Sequence, residues 1–238
     1  MDPTGTPRVK VCCIMNVNEA RMAIRHGASA LGLVSEMPSG PGPISEDTIA
    51  AIVATIPPGI SSFLLTSKTD PDEIIAQQRR TRANTLQLVD SVDTGCYERL
   101  RAMLPGIAIV QVVHVSSSES IDEALAIERF VDALLLDSGN PRLPIKELGG
   151  TGRVHDWTIS RIIRERAKIP VFLAGGLTPD NVGEAIARVG PFGLDLCSGI
   201  RRNGALDEAL LSSFMRSAGG SRMSHPGGVT KTPPEAAW

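Results

Sequence analysis

The sequence predicts an α/β protein built as a single (β/α)8 (TIM) barrel, on three observations. Eight short apolar runs alternate with eight segments of helical periodicity. The runs are apolar throughout, as expected of strands buried on both faces of a parallel sheet. The chain has 238 residues, close to the roughly 200–250 that such a barrel uses as one domain. Eight units in that length fit a closed barrel better than an open doubly wound sheet.

The elements follow in order. VKVCCI (9–14) reads as the first strand, and periodicity over 17–27 as the first helix. ALGLVS (30–35) leads to a helix over 45–56, where Ser45 stands before two acids as a cap. ISSFLLT (60–66) leads to a helix over 71–82, with Asp70 as cap and Pro71 in the first turn. TLQLVD (85–90), IAIVQVV (107–113) and DALLLD (132–137) are followed by helices over 95–104, 118–128 and 157–167. PVFLA (170–174) precedes a helix expected from Pro179 to 189, capped by Thr178. FGLDLC (192–197) and a helix over 206–217 complete the series. Residues 1–8 form a short lead, 9–217 the barrel, and 218–238, rich in Gly, Pro, Ser and Thr, an expected disordered tail.

Composition excludes several functions. Net charge is -2, and no Lys/Arg run or basic stripe suggests nucleic acid or an anionic membrane surface. No apolar run approaches the roughly 20 residues of a membrane span. The four cysteines, Cys12, Cys13, Cys96 and Cys197, match no zinc spacing. Neighbouring cysteines on one strand rarely bridge, and the N-terminus is polar, so a reduced cytoplasmic protein is expected. Monomer and homodimer both remain open.

In such barrels chemistry sits at the C-terminal strand ends. Three glycine clusters fall there on consecutive loops: LGGTG (148–152), AGGL (174–177) and CSGI (197–200). Each alone can be a tight turn. Together, on the loops where these barrels hold phosphate, they favour a backbone cradle for an anion. Asp137 ends a run of three leucines, so burial is expected to raise its pKa and suit it to general-acid work. An N-cap or loop ion pair is the plainer alternative. Asp90 has the same standing with weaker support. His114 is read as a hydrogen-bonded structural histidine, and Cys197 as a small packing residue.

The stretches VKVCCIMNVNEARMAIRHGASALGLV, LLLDSG, GGTGRVHDW, LAGGLTPDNVGEAI and GLDLCSGI, in this order and spacing, resemble the phosphoribosylanthranilate isomerase family of tryptophan biosynthesis. The resemblance runs from about residue 8 to 217. It implies an isomerase that performs an Amadori rearrangement of N-(5-phosphoribosyl)anthranilate, a small phosphosugar substrate, with no cofactor and no metal. It implies Cys12 as the general base at the sugar C2 and Asp137 as the general acid at the ring oxygen. It places the phosphate on Gly150, Gly152, Gly175 and Gly176, with Ser198 and Gly199 completing the cradle. Gln87 and Arg201 are further candidates for substrate contacts. A cysteine, with an ordinary pKa of about 8.5, can act as a base near neutrality when its thiolate is modestly favoured. With Cys12 facing the mouth, strand alternation sends Cys13 toward the helices.

The chain departs from the family pattern at Cys13, where the family has glycine. Gly42 occupies the place of a substrate-binding arginine, and Val89-Asp90 that of His-Gly. Ile200-Arg201 follows the last turn in place of Val-Glu, and aromatic residues make up only 3% of the chain. Arg201 is then expected to supply the lost cation. An arginine restored at 42 is expected to lower KM, unless Pro41 and Pro43 hold residue 42 where only glycine fits. An isomerase for another phosphoribosyl amine and a non-catalytic phosphosugar-binding barrel are the alternatives.

Overall fold

The computed structural model describes residues 6–140, 143–149 and 152–220. Eight parallel strands close into a barrel in the order β1-β2-β3-β4-β5-β6-β7-β8. They are β1 (Arg8–Val11), β2 (Ala30–Val34), β3 (Ser61–Thr66), β4 (Thr85–Leu88), β5 (Ala108–His114), β6 (Ala133–Asp137), β7 (Val171–Leu173) and β8 (Gly193–Leu196). The helices between them are α1 (Val17–Arg25), α2 (Glu46–Val53), α3 (Pro71–Thr81), α4 (Thr94–Met103), α5 (Glu119–Ile127), α6 (Trp157–Arg166) and α7 (Val182–Val189). After β8 a small antiparallel hairpin, β9 (Arg201–Arg202) and β10 (Ala205–Leu206), leads into α8 (Glu208–Gly220). All eight expected strands and helices are present.

The caps explain where the helices start. Asp70 accepts from the Glu73 N–H at 3.0 Å with Pro71 behind it, and Ser45 accepts from the Thr48 N–H. At α7 the expected Thr178-Pro179 start moves on to Val182. Thr178 and Asn181 exchange hydrogen bonds, the Thr178 N–H donating to Asn181 Oδ1 at 2.8 Å, so the intervening residues form a closed turn first. Helix α8 runs three residues past the expected end at 217. The rest of the expected tail, 221–238, lies outside the described residues.

The main apolar core lies between sheet and helices and draws on every strand. A second, smaller core fills the barrel, with Val34, Phe63, Leu65, Val110, Val112, Leu135 and Phe172 among its members. Phe63 and Phe172 meet edge-on at 6.0 Å inside it. Gly193 also faces inward, since a Cβ there would lie 2.5 Å from the Phe172 ring. The barrel interior also buries one ion pair. Register sets Lys10 opposite Asp195 across the β1–β8 seam, and Lys10 Nζ donates to Asp195 Oδ1 at 2.8 Å. Lys10 is fully buried and its ammonium lies 5.2 Å from the Phe63 ring centroid. Burial works against the ammonium, yet Asp195 and the nearby thiols outweigh it and hold the Lys10 pKa above its ordinary value.

Removing one partner of such a pair leaves a buried charge without an answer. Asp195→Ala is therefore expected to cost about 3–5 kcal/mol in urea unfolding. Replacing both partners with apolar residues of similar volume should recover most of that loss. Equal stability of the single and double variants would show that the pair is not what holds the seam.

Candidate active site

At the C-terminal strand ends the barrel opens into a cleft of about 710 Å³ including its open mouth, within the range of small-molecule sites. Its wall brings together Cys12 and Cys13 after β1, Gln87 from β4, Asp137 from β6, Gly175 and Gly176 after β7, and Ser198 after β8. In the closed order, β6 is separated from β1 by β7 and β8, so Asp137 faces Cys12 across the mouth.

Cys12 follows the inward alternation of Lys10. Both occupy the space where Gly32 lacks a side chain: a Cβ at residue 32 would lie 2.7 Å from Cys12 Sγ and 2.9 Å from Lys10 Nζ. Cys13 does not point toward the helices. It adopts φ +60°, a left-handed conformation that breaks strand alternation and turns its side chain into the same cleft. Its Sγ lies 2.6 Å from Cys197 Sγ. Contact with the neighbouring thiols, Cys12 first, pushes the Cys13 thiol up, while contact with Cys13 holds Cys197 below the usual thiol value. Cys197, expected as a packing residue, is thus half of a thiol pair on the cleft wall.

Asp137 is buried at the cleft edge. Burial pushes its carboxyl pKa up, against the Ser138 N–H, which donates to Asp137 Oδ1 at 2.7 Å, and against the nearby His114. The following loop passes close over it, since a Cβ on Gly149 would lie 2.7 Å from Asp137 Oδ2. Asp90 does not join the cleft. Its carboxylate bonds Lys146 and the Ser91 N–H. His114 holds the Val89 carbonyl through Nε2 at 3.0 Å, the structural role expected of it.

Gly152, Gly175, Gly176 and Ser198 line one end of the cleft. At Gly176 the chain has φ +62°, and a Cβ would lie 2.8 Å from the Arg153 carbonyl carbon. Backbone therefore packs on backbone between the loops after β6 and β7, which forms the wall from main chain. Gly199 stands behind that wall, because a Cβ there would meet the Leu177 carbonyl oxygen at 2.0 Å. Its absent side chain serves packing of the last loop, not direct lining. Gly150 lies outside the described residues. Gln87 lines the cleft with its Oε1 buried and without a hydrogen-bond partner among the described residues. That acceptor is available to a donor on a ligand.

A further expectation, that Arg201 supplies a cation to the cleft, is not met, and at Gly42 the stated exception holds. Arg201 does not reach the cleft. Its guanidinium pairs with Glu19 at 3.0 Å, donates to the Gly204 carbonyl at 2.8 Å and bonds the Cys13 carbonyl. Glu19 in turn accepts from the Met15 and Leu206 N–H groups, so the pair straps the β1 turn to the terminal hairpin. Gly42 cannot take an arginine. It has φ +89°, and a Cβ there would lie 2.7 Å from Cys13 Cβ. Positions 13 and 42 are linked: a side chain at 13 fills the space over 42. Among the described residues that line the cleft there is no Lys or Arg.

Sequence reading missed Lys10 and Asp195. Their signal was available, one ionisable residue inside each of two otherwise apolar strands. Only barrel closure shows that they are partners.

The fold and cleft define a (β/α)8-barrel enzyme with acid, thiol and glycine-lined walls at the strand ends. The family model for N-(5'phosphoribosyl)anthranilate (PRA) isomerase matches residues 9–217. An N-(5'-phosphoribosyl)anthranilate isomerase 2 of Methanosarcina mazei is 39% identical over 89% of this chain and 93% of its own length. The corresponding isomerase of Methanocella arvoryzae is 33% identical over 81% and 88%. The phosphoribosylanthranilate isomerase of Thermotoga maritima superposes with TM-score 0.75 at 29% identity, covering 90% of this chain and 99% of that one. Another solved isomerase, in complex with reduced 1-(o-carboxyphenylamino)-1-deoxyribulose 5-phosphate, gives TM-score 0.73 at 27% identity over the same shares. The chain belongs to the N-(5'-phosphoribosyl)anthranilate isomerase family.

Two outcomes test this geometry. Gly42→Ala is expected to lower stability by about 1–3 kcal/mol, since it adds left-handed strain and a contact on Cys13. The double variant Cys13→Gly, Gly42→Ala should lose less, which a pair of thermal melts decides. For Asp137, whose folded pKa is raised, the carboxyl contributes stability that is full below its unfolded value of about 3.9 and lost as pH rises through the folded pKa. Wild type should therefore lose stability relative to Asp137→Asn as pH increases from about 4. A constant difference across that range would place the raised pKa elsewhere.

Proposed function

We infer that this chain is the isomerase that converts N-(5'-phosphoribosyl)anthranilate to 1-(o-carboxyphenylamino)-1-deoxyribulose 5-phosphate in tryptophan biosynthesis. The observation that carries the inference is the family match over 9–217, which spans every strand that lines the cleft. No helix among the described residues is long and apolar enough to cross a membrane, and a reducing cytoplasm suits four free thiols. The cleft is built within one chain, so a monomer has the whole site. The Thermotoga maritima enzyme is dimeric, and a homodimer is compatible with this geometry.

The chemistry is a proton relocation between two sides of a sugar. Asp137, whose carboxyl burial shifts toward its protonated form, donates to the furanose ring oxygen, and the ring opens to a Schiff base at C1. Cys12, across the cleft, takes the C2 proton, and the electron pair moves toward nitrogen to give an enolamine. Return of a proton at C1 and loss of the C2 hydroxyl proton yield the aminoketose, so atoms and electrons balance without an external oxidant. The phosphate lies against Gly152, Gly175, Gly176 and Ser198, where main-chain N–H groups and a hydroxyl are the available donors. Gln87 Oε1, a buried acceptor on the cleft wall, is available to a donor of the substrate.

A second reading, an isomerase for a different phosphoribosyl amine, is favoured by one observation. No Lys or Arg among the described lining residues meets a substrate carboxylate.

Turnover of phosphoribosylanthranilate, followed by loss of its anthranilate-type fluorescence, decides between the two. Cys12→Ser is expected to lower kcat by about 10²–10⁴-fold, the usual loss of a general base or acid. Asp137→Asn should do the same while a phosphate-bearing product analogue keeps its affinity by calorimetry. In wild type kcat should fall on the alkaline side as Asp137 loses its proton. Asp137→Asn with wild-type turnover would remove the acid from this scheme.

A further inference from the structure

The cleft wall holds a sulfur cluster that the isomerisation does not use. Cys13 and Cys197 come from opposite ends of the sequence, yet closure of β1 on β8 brings their Sγ atoms to 2.6 Å. Neither position is free to drift. The Arg201–Glu19 pair grips the Cys13 carbonyl and the turn that follows it. Cys197 sits directly after β8, which is stitched to β1 by Lys10 and Asp195. Both thiols line the open cleft, and Cys197 is only half-buried. Cys96, the remaining thiol apart from Cys12, is buried in the first turn of α4, outside the cleft, so it is an inert internal control.

We propose that Cys13 and Cys197 are a reversible redox pair, which a low-molecular-weight disulfide oxidises to an intramolecular bridge across the active-site wall, lowering turnover. The effect on turnover rests on the isomerase reading above; formation of the bridge does not. Cys197, the less buried of the two, is the attacking thiol, and contact with the Cys13 thiol and the charge of Arg201 both favour its thiolate. It attacks one sulfur of R–S–S–R, forms a mixed disulfide and releases R–S⁻. Cys13 then gives up its proton and attacks the Cys197 sulfur, expelling the second R–S⁻. Two electrons pass from the protein thiols to the oxidant, and both protons end on the two released thiols. The bridge ties the turn that carries Cys12 to the turn that carries Ser198. A misplacement of about 1 Å at a reacting group can cost roughly 10²-fold in rate. In a reducing compartment such a bridge is transient, as befits a sensing disulfide.

The test uses the full chain and oxidised glutathione. After acid quench, thiols are counted in denaturant, and unreduced peptides are mapped. Two of the four thiols should disappear, with the Cys13 and Cys197 peptides joined. Turnover should fall by roughly tenfold or more, and dithiothreitol should restore it. Cys13→Gly, which suits a residue at φ +60°, should form no bridge and carry a glutathione adduct on Cys197. Cys197→Ser should form no bridge either. Survival of all four thiols, a bridge that includes Cys12 or Cys96, or a Cys13–Cys197 bridge that leaves turnover unchanged would overturn the proposal. If the reduced chain also fails to turn over phosphoribosylanthranilate, the isomerase reading falls, and the thiol count and peptide map alone decide whether the pair is redox-active.

Discussion

Closure of the first strand on the last is the constraint from which the site follows. β1 and β8 lie at opposite ends of the chain, and their register sets Lys10 against Asp195 and Val11 against Leu196. One step beyond, the Cys12 N–H donates to the Leu196 carbonyl at 2.8 Å. The buried ion pair marks this register chemically. Apolar strands can slip against each other with modest loss, but a slip here would strand an ammonium and a carboxylate in the barrel. The same register delivers Cys12 to the mouth, which Asp137 and Ser198 also line.

Around that seam the loops are set by close backbone packing. The glycines after β6 and β7 allow main chain to lie on main chain, which leaves a wall of peptide groups at one end of the cleft. A wall of this kind suits an anion, because main-chain N–H groups need no reorganisation and carry no mobile charge. Tight packing also makes positions depend on each other. Cys13 in a left-handed turn reaches toward Gly42, so a side chain gained at one position forbids one at the other. The cleft carries a thiol on the first loop and, facing it at position 42, no side chain. Arg201, which looks like a replacement cation in sequence, is drawn away by Glu19 to brace that turn.

The apolar runs, helix caps and strand-end residues determined the architecture and placed part of the candidate cleft from sequence alone. Periodicity is local, so eight strands and eight helices were legible, and Asp70-Pro71 marked a helix start to the residue. Asp137, Cys12, Gln87 and the glycines after β6 and β7 fell at strand ends, and in a parallel barrel all strand ends share one face. What needed tertiary structure was any fact that joins distant segments or breaks a local rule. Lys10 and Asp195 are 185 residues apart, so only closure pairs them. The left-handed φ of Cys13 overrides the alternation that would send it to the helices, and the thiol contact with Cys197 follows from it. Charge alone could not say which partner Arg201 would choose. That choice depends on Glu19 lying beside it in the fold, and a guanidinium already bonded to a buried carboxylate is not available to a substrate.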